Sequence, residues 1–201
     1  MGNRLGTLQR VELRSFWAGE ASEFTPWLAS DENLSLLGKM VGLELEAEHT
    51  EVAVGPFAAD IVARDSAGNY VVIENQLGKT DHDHLGKALT YASALGAKTI
   101  IWVAADFTDE HRKALDWLND NTTEDLSCYG IQVELWSIDG SPPAVRFNVL
   151  SRPTQSVRQL ISTASADLSD SRKLQLEWWT ALRETLLAQR ALPSVQSPRP
   201  Q

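Results

Sequence analysis

Two strand-like segments joined by a short polar turn place two carboxylates opposite each other, an arrangement that few folds tolerate. Residues 57–64 read as one strand and residues 70–76 as the next, and residues 65–69 between them have the composition of a turn. A symmetric hairpin pairs Asp60 with Glu74, and directly opposed side chains lie about 4.5–5.5 Å apart at Cβ. Like charges repel at that distance and apolar neighbours desolvate them, so the pattern predicts a cation between them.

The predicted site is therefore a divalent metal site on Asp60 and Glu74. Mg²⁺ is bound through carboxylate oxygens, and strands disfavour Asp in the absence of such a role. Gln76 lies two residues after Glu74 and points to the same face, whereas the side chain of Asn75 points to the other. The alternative interpretation is a solvated sheet face, on which Asp and Glu are ordinary.

The sequence Asp60 followed after a turn by Glu74-x-Gln76 resembles the metal site of the PD-(D/E)XK nuclease superfamily. In that family an Asp and a Glu on neighbouring strands bind Mg²⁺, and a Lys two residues after the Glu assists the attacking water. The resemblance is closer to an uncharacterised bacterial branch, in which Glu-Asn-Gln is followed by Asp-His-x-His-Leu-Gly, here residues 81–86. It covers roughly residues 25–150.

The resemblance implies an α/β fold with a mixed central sheet flanked by helices, the restriction-endonuclease-like core. It also implies metal-dependent hydrolysis of DNA phosphodiester bonds, in defence or repair, with Mg²⁺ or Mn²⁺ as cofactor. Asp60, Glu74 and Gln76 would be the catalytic residues, with Gln76 positioning the water. The chain has Ala59 in place of the family's proline and Gln76 in place of its lysine. Because glutamine supplies no charge, the alternative is a weak or inactive nuclease-like module that binds DNA or a protein partner.

A third acidic ligand is expected from the first long helix. Glu32 is the best placed on the predicted helix over residues 25–41, one turn ahead of Leu36. Glu51, on the strand that leads into the hairpin, is its rival. A solvated helix charge is the competing interpretation of Glu32.

Basic and aromatic residues gather at the end of the hairpin and the start of the next helix. This predicted nucleic-acid contact comprises Lys79, His82, His84, Lys87 and Tyr91. At helical spacing, His84, Lys87 and Tyr91 share a face away from the leucine stripe, and a helix N-terminus favours phosphate. The alternative interpretation is helix capping with a solvated face.

Hydrophobic periodicity orders the other elements. It predicts helices over 25–41, 81–95 and 108–119, and strands over 43–54, 98–104, 131–136 and 144–149. The nearly continuous apolar run over 98–104 indicates a strand at the centre of a sheet that is covered on both faces. The predicted buried stripe of the 81–95 helix is Leu85, Ala88, Leu89, Ala92 and Leu95.

Composition restricts the partners and the compartment. The chain has 201 residues, a net charge of −9 and one cysteine. It shows neither the ~18 apolar residues of a membrane span nor the apolar core of a secretory signal, so we expect a cytoplasmic protein without a membrane partner. There is no glycine-rich phosphate loop, hence no nucleotide cofactor is expected. The acidic total argues against non-specific coating of nucleic acid.

The organisation along the chain predicts a nuclease-like domain over 1–150, a linker over 151–170, a helix over 171–191 and a tail over 192–201. The late helix either opens a second domain of a longer chain or docks elsewhere. Its Trp178-Trp179 pair is a candidate homodimer contact.

Overall fold

The computed structural model describes residues 5–54, 57–122, 126–153 and residue 178. Those up to residue 153 belong to one compact unit, Met1–Thr154. Most of the predicted linker, helix and tail lies outside the described residues. Of the predicted helix over 171–191, the structure describes Trp178 alone, in a helical conformation. The domain boundaries and the homodimer therefore stay predictions. Within the described ranges, no helix combines the length and the apolar character that crossing a bilayer requires.

The elements follow one another in the order β1 (Leu8–Val11), α1 (Leu13–Phe16), a π-helical turn (Glu20–Phe24), α2 (Thr25–Leu28), α3 (Asp31–Val41), β2 (Leu45–Val54), β3 (Phe57–Asp65), β4 (Tyr70–Lys79), α4 (His82–Leu95), β5 (Thr99–Asp106), α5 (Asp109–Asn121), β6 (Ser127–Ile138) and β7 (Ala144–Ser151). The strands β2 to β7 and the helices α4 and α5 are those that the sequence predicts, to within four residues at their ends.

One mixed sheet runs through the molecule. Its strand order is β1-β6-β5-β4-β3-β2, and β7 also pairs with β6. β4, β5 and β6 are parallel neighbours, whereas β2, β3 and β4 form an antiparallel meander. Helices cover both faces, so the predicted fold class, an α/β fold with a mixed central sheet flanked by helices, is confirmed.

Alternation along the strands divides the core between the two faces. Ile61 and Ile73 pack with Leu34 and Leu37 of α3 on one face. Val72 packs with α4 on the other. Because successive strand residues point to opposite faces, Glu74 and Gln76 lie on the α4 face. β5 is buried on both faces, as predicted for a central strand.

The predicted helix over 25–41 is two helices in the structure. Ser30 takes an extended backbone conformation, with ψ 145°, and separates α2 from α3. The Ser30 hydroxyl and the Asn33 amide both donate to the carbonyl oxygen of Trp27, at 2.8 and 2.9 Å. These side-chain bonds compete with the helical ladder and stop α2 after one turn. Gly42, with φ 71°, ends α3 as its sequence position predicts.

The predicted buried stripe of α4 is wrong in part. The fully or nearly fully buried residues of α4 are Ala88, Tyr91 and Ala92, whereas the leucines of the predicted stripe are only partly buried. Small alanines let the helix lie close to the sheet, and the Tyr91 ring fills the remaining space. The leucines therefore flank the contact rather than form it.

Candidate active site

The turn between β3 and β4 fixes which residues of the two strands meet. Asp65 Oδ1 accepts hydrogen bonds from the backbone N–H groups of Ala67 and Asn69, at 2.9 and 2.8 Å. The resulting register pairs Arg64 with Tyr70 and continues to Ile61 and Ile73. The next residues along the same register are Asp60 and Glu74. The predicted symmetric hairpin is confirmed by this pairing.

The pairing of β3 with β4 ends at Ile61 and Ile73. Beyond this pair, carboxylate side chains accept hydrogen bonds from backbone N–H groups of β4. Asp60 Oδ2 accepts the N–H of Asn75 at 2.7 Å. Glu20 Oε1, from the π-helical turn, accepts the N–H of Leu77 at 3.0 Å. The N–H groups of Asn75 and Leu77 are thus satisfied by acidic side chains, which brings two carboxylates to the place where the strands separate.

Glu74 is a buried carboxyl with an unsatisfied oxygen. The residue is 1% exposed, and its Oε2 has no hydrogen-bond partner. Burial raises the pKa of Glu74 to about 9, with the charge of Asp60 adding to the effect and that of Lys87 opposing it. Burial likewise raises the pKa of Asp60 to about 6, against the hydrogen bond from Asn75. A cation between the two carboxylates would remove both penalties.

The third acid near this pair is Glu51, the rival that the sequence offered, and not Glu32. The pairs Thr50–Ile61 and Val52–Ala59 flank the positions of Glu51 and Asp60 in the β2–β3 register. The charge of Glu51 raises the pKa values of both Asp60 and Glu74. Glu51 also has φ 53°, a strained conformation for a residue other than glycine.

The structure therefore does not place Glu32, the predicted third ligand, beside the acid pair. Glu32 is exposed in the first turn of α3, and α3 packs on the sheet face opposite to Glu74. Within the described residues, no three His, Cys, Asp or Glu side chains are gathered closely enough to hold an ion. The site offers two carboxylates, a number that suits Mg²⁺ when water and substrate oxygens complete its coordination.

Gln76 is held by three hydrogen bonds. Its Oε1 accepts from the indole Nε1 of Trp102 at 2.9 Å. Its Nε2 donates to the carbonyl oxygen of Lys79 at 2.7 Å and to Asp81 Oδ2 at 3.3 Å. Since an indole N–H only donates and a carbonyl oxygen only accepts, the orientation of the amide is fixed. Both amide hydrogens are used, so Gln76 has no N–H left for the water that it was predicted to position.

Cationic groups of α4 face the acid pair. The charges of His84 and Lys87 both lower the pKa of Asp60. His84 Nδ1 contacts Asp81 Oδ1 and Oδ2 at 2.8 and 2.9 Å, and Lys87 is half-buried. Lys79 is exposed at the end of β4. Of the five predicted nucleic-acid contacts, His84 and Lys87 therefore lie near the acid pair.

The other two predicted contacts are His82, which is exposed but contacts another histidine through its ring, and Tyr91, which is buried. His82 Nδ1 lies 2.9 Å from Nε2 of His111, whose Nδ1 contacts Thr80 Oγ1 at 2.8 Å. Tyr91 is 0% exposed and its hydroxyl has no hydrogen-bond partner. Burial and the charge of Glu74 raise the pKa of Tyr91 to about 12. The prediction that Tyr91 faces a nucleic-acid backbone is wrong, because the ring lies against the sheet.

Sequence reasoning missed Glu20 and Asp81 as parts of this site. Asp81 is the N-cap of α4 and accepts the N–H of His84 at 2.9 Å. The spacing Asp-x-x-His at a helix start could have indicated the second contact, from the ring of the histidine. Glu20 gave no such signal, since its role depends on a π-helical turn.

Comparisons with known proteins show similarity to solved structures over less than half of this chain. No protein-family model and no curated protein matches the chain. The chain is similar to a repair endonuclease from Pyrococcus abyssi, with 24% identity, a TM-score of 0.36, and coverage of 43% of this chain and 41% of that chain. It is also similar to an EndoMS–dsDNA complex, with 22% identity, a TM-score of 0.39, and coverage of 48% of this chain and 41% of that one. The chain therefore spans about two fifths of either structure's length, and membership of the Glu-x-Gln branch stays a prediction.

Proposed function

We propose that the chain is a metal-dependent endonuclease that hydrolyses phosphodiester bonds of DNA. The observation that carries the proposal is the buried Glu74 carboxyl, which has an unpartnered oxygen and lies close enough to Asp60 for the charge of Asp60 to raise its pKa. Hard carboxylate oxygens suit Mg²⁺ or Mn²⁺, and Asp60 and Glu74 would hold the ion. When bound, such an ion polarises a phosphoryl oxygen and lowers the pKa of its water.

The chain's own residues prepare the site for an anionic substrate. The N–H of Asn75 fixes the Asp60 carboxylate in place. Lys87 brings to the acid pair the positive charge that glutamine at position 76 lacks. Lys87, His84 and Lys79 are the groups that we assign to the phosphate backbone. DNA as substrate, and a role in defence or repair, follow from the resemblance of Asp60…Glu74-x-Gln76 to the nuclease motif.

The test is digestion of plasmid and single-stranded DNA by the full chain with Mg²⁺, Mn²⁺ or EDTA. We expect cleavage only with the divalent ion, and its loss in Asp60→Asn and in Glu74→Gln. Glu32→Gln is the matched control, because it removes an exposed carboxylate from the opposite face. Cleavage by Asp60→Asn at the wild-type rate would refute the proposal.

One observation favours the second candidate function, a module that binds DNA or a protein partner without cutting. Both amide hydrogens of Gln76 are taken by protein acceptors, so the position that carries lysine in active relatives of the motif offers neither charge nor N–H. Calorimetric titration of Mn²⁺ into the protein separates the two. Binding that depends on Asp60 supports the enzyme, whereas a DNA gel shift without metal and without cleavage supports the module.

A further inference from the structure

The His84 ring is held by a carboxylate in one orientation. Asp81 Oδ1 lies 2.8 Å and Oδ2 2.9 Å from Nδ1 of His84. Burial raises the pKa of Asp81, but the backbone and side-chain hydrogen bonds from His84 outweigh burial, and the net pKa is lowered. An ionised carboxylate only accepts hydrogen bonds, so Nδ1 carries the hydrogen. In the neutral ring, Nε2 is then the nitrogen with a lone pair.

Asp81 is itself held from the sheet. Gln76 Nε2 donates to Asp81 Oδ2, while the other bonds of the amide go to Lys79 and Trp102. Helix capping alone does not need this arrangement, because a single oxygen, Oδ1, already accepts the N–H of His84. The chain Trp102–Gln76–Asp81–His84 thus runs from the buried centre of β5 to the rim of the acid pair.

We propose that His84 is the proton acceptor for the attacking water, and that Asp81 and Gln76 are positioning residues that act through it. This inference rests on the proposed hydrolytic function. The water oxygen forms a bond to phosphorus while its proton passes to Nε2 of His84. The bond from phosphorus to the leaving oxygen breaks, the leaving oxygen takes a proton from solvent, and His84 returns its proton to solvent. Gln76, two positions after Glu74, thus contributes by orienting His84 through Asp81 rather than by contacting the water.

The electrostatic surroundings suit this role. Asp60, Glu74 and Glu51 face the site from β3, β4 and β2, and Lys87 and Asp81 belong to α4 and its cap. The Asp81 carboxylate, 2.8 Å from Nδ1, stabilises the positive charge that the ring gains during the step. His84 keeps 20% of its side chain exposed, so water and substrate can reach it.

The first experiment measures single-turnover DNA cleavage by the full chain with Mn²⁺. We expect His84→Gln to lose about 100-fold or more in rate, the scale of general base catalysis. Asp81→Ser keeps a good helix N-cap but removes both carboxylate oxygens; it should be slower than wild type, and the double variant should be no slower than His84→Gln alone. Added imidazole should restore part of the rate of His84→Ala. His49→Gln, an exposed histidine on β2, is the control.

The second experiment reads the His84 tautomer by ¹⁵N NMR and does not depend on activity. The wild-type ring should carry its hydrogen on Nδ1 at neutral pH, and Asp81→Ser should reduce that form. A wild-type ring protonated on Nε2 instead, or unchanged cleavage by His84→Gln, would overturn the inference.

The variants also separate this inference from the proposed function. Loss of cleavage in Asp60→Asn with full cleavage in His84→Gln leaves the metal site standing and removes His84. The reverse result leaves His84 standing and removes the metal site. A wild-type protein that cuts no DNA refutes both, whatever the tautomer.

Discussion

Removal of the Glu74 charge should stabilise the protein when no divalent ion is present. Glu74→Gln keeps the shape of the side chain but cannot ionise. The pKa of Glu74 is raised from 4.5 to about 9 in the folded protein, so the folded state binds this proton more tightly than the unfolded state. The stability that Glu74 contributes is therefore complete below pH 4.5 and is lost as the pH rises towards 9.

The size of the effect follows from the same shift. One pKa unit corresponds to about 1.4 kcal/mol. As the pH rises from 4.5 to 7, the free energy of unfolding of wild type should therefore fall by about 3 kcal/mol, whereas that of Glu74→Gln should not. For a chain of this length the difference corresponds to about 6–12 °C in Tm. Urea and thermal unfolding at pH 5 and pH 7.5 with EDTA measure it. Glu32→Gln should change stability by less than about 1 kcal/mol at either pH.

Divalent ions should offset most of this difference in stability. At a free Mn²⁺ concentration about 100-fold above its dissociation constant, wild type should gain about 2.7 kcal/mol, and Glu74→Gln should gain far less. If Glu74→Gln were less stable than wild type at pH 7.5 with EDTA, the carboxyl would have a stabilising partner and the reasoning would be refuted.

Three further substitutions test buried polar groups, each by urea unfolding in EDTA. Gln76→Lys should lower the free energy of unfolding by about 1–3 kcal/mol, because the buried indole N–H of Trp102 loses its acceptor; unchanged stability would contradict the assigned bond. Tyr91→Phe should leave stability equal or raise it by up to about 1 kcal/mol, since its buried hydroxyl has no partner, and a loss above that size would reveal one. Asn119→Ala should cost about 2–4 kcal/mol, because the Asn119 amide bonds both the N–H and the carbonyl of Cys128, and a loss below 1 kcal/mol would refute that role.

The strands and their register were predictable because short-range chemistry determines them. Turn residues and alternation located the hairpin, whose observed pairs run from Arg64–Tyr70 to Ile61–Ile73. Thr108 and Asp81 cap the helices that begin after them. These features depend on residues close in sequence.

What escaped prediction depends on contacts between distant residues. Gln76 lies on the predicted face, but its role is decided by Trp102 on the neighbouring strand. The orientation of α4 was misjudged because two alanines and a tyrosine pack better against this sheet than the leucines do. Glu32 was preferred over Glu51 because periodicity does not indicate which sheet face a helix covers.

The length of the turn at residues 65–69 is constrained, although the turn does not belong to the candidate active site. Insertions in exposed loops are usually well tolerated. Here a single residue added or removed would slip β3 against β4 by one position and turn Asp60 away from Glu74. Length variation at this hairpin tip is thus expected to be eliminated by selection for activity, even where the altered chain still folds.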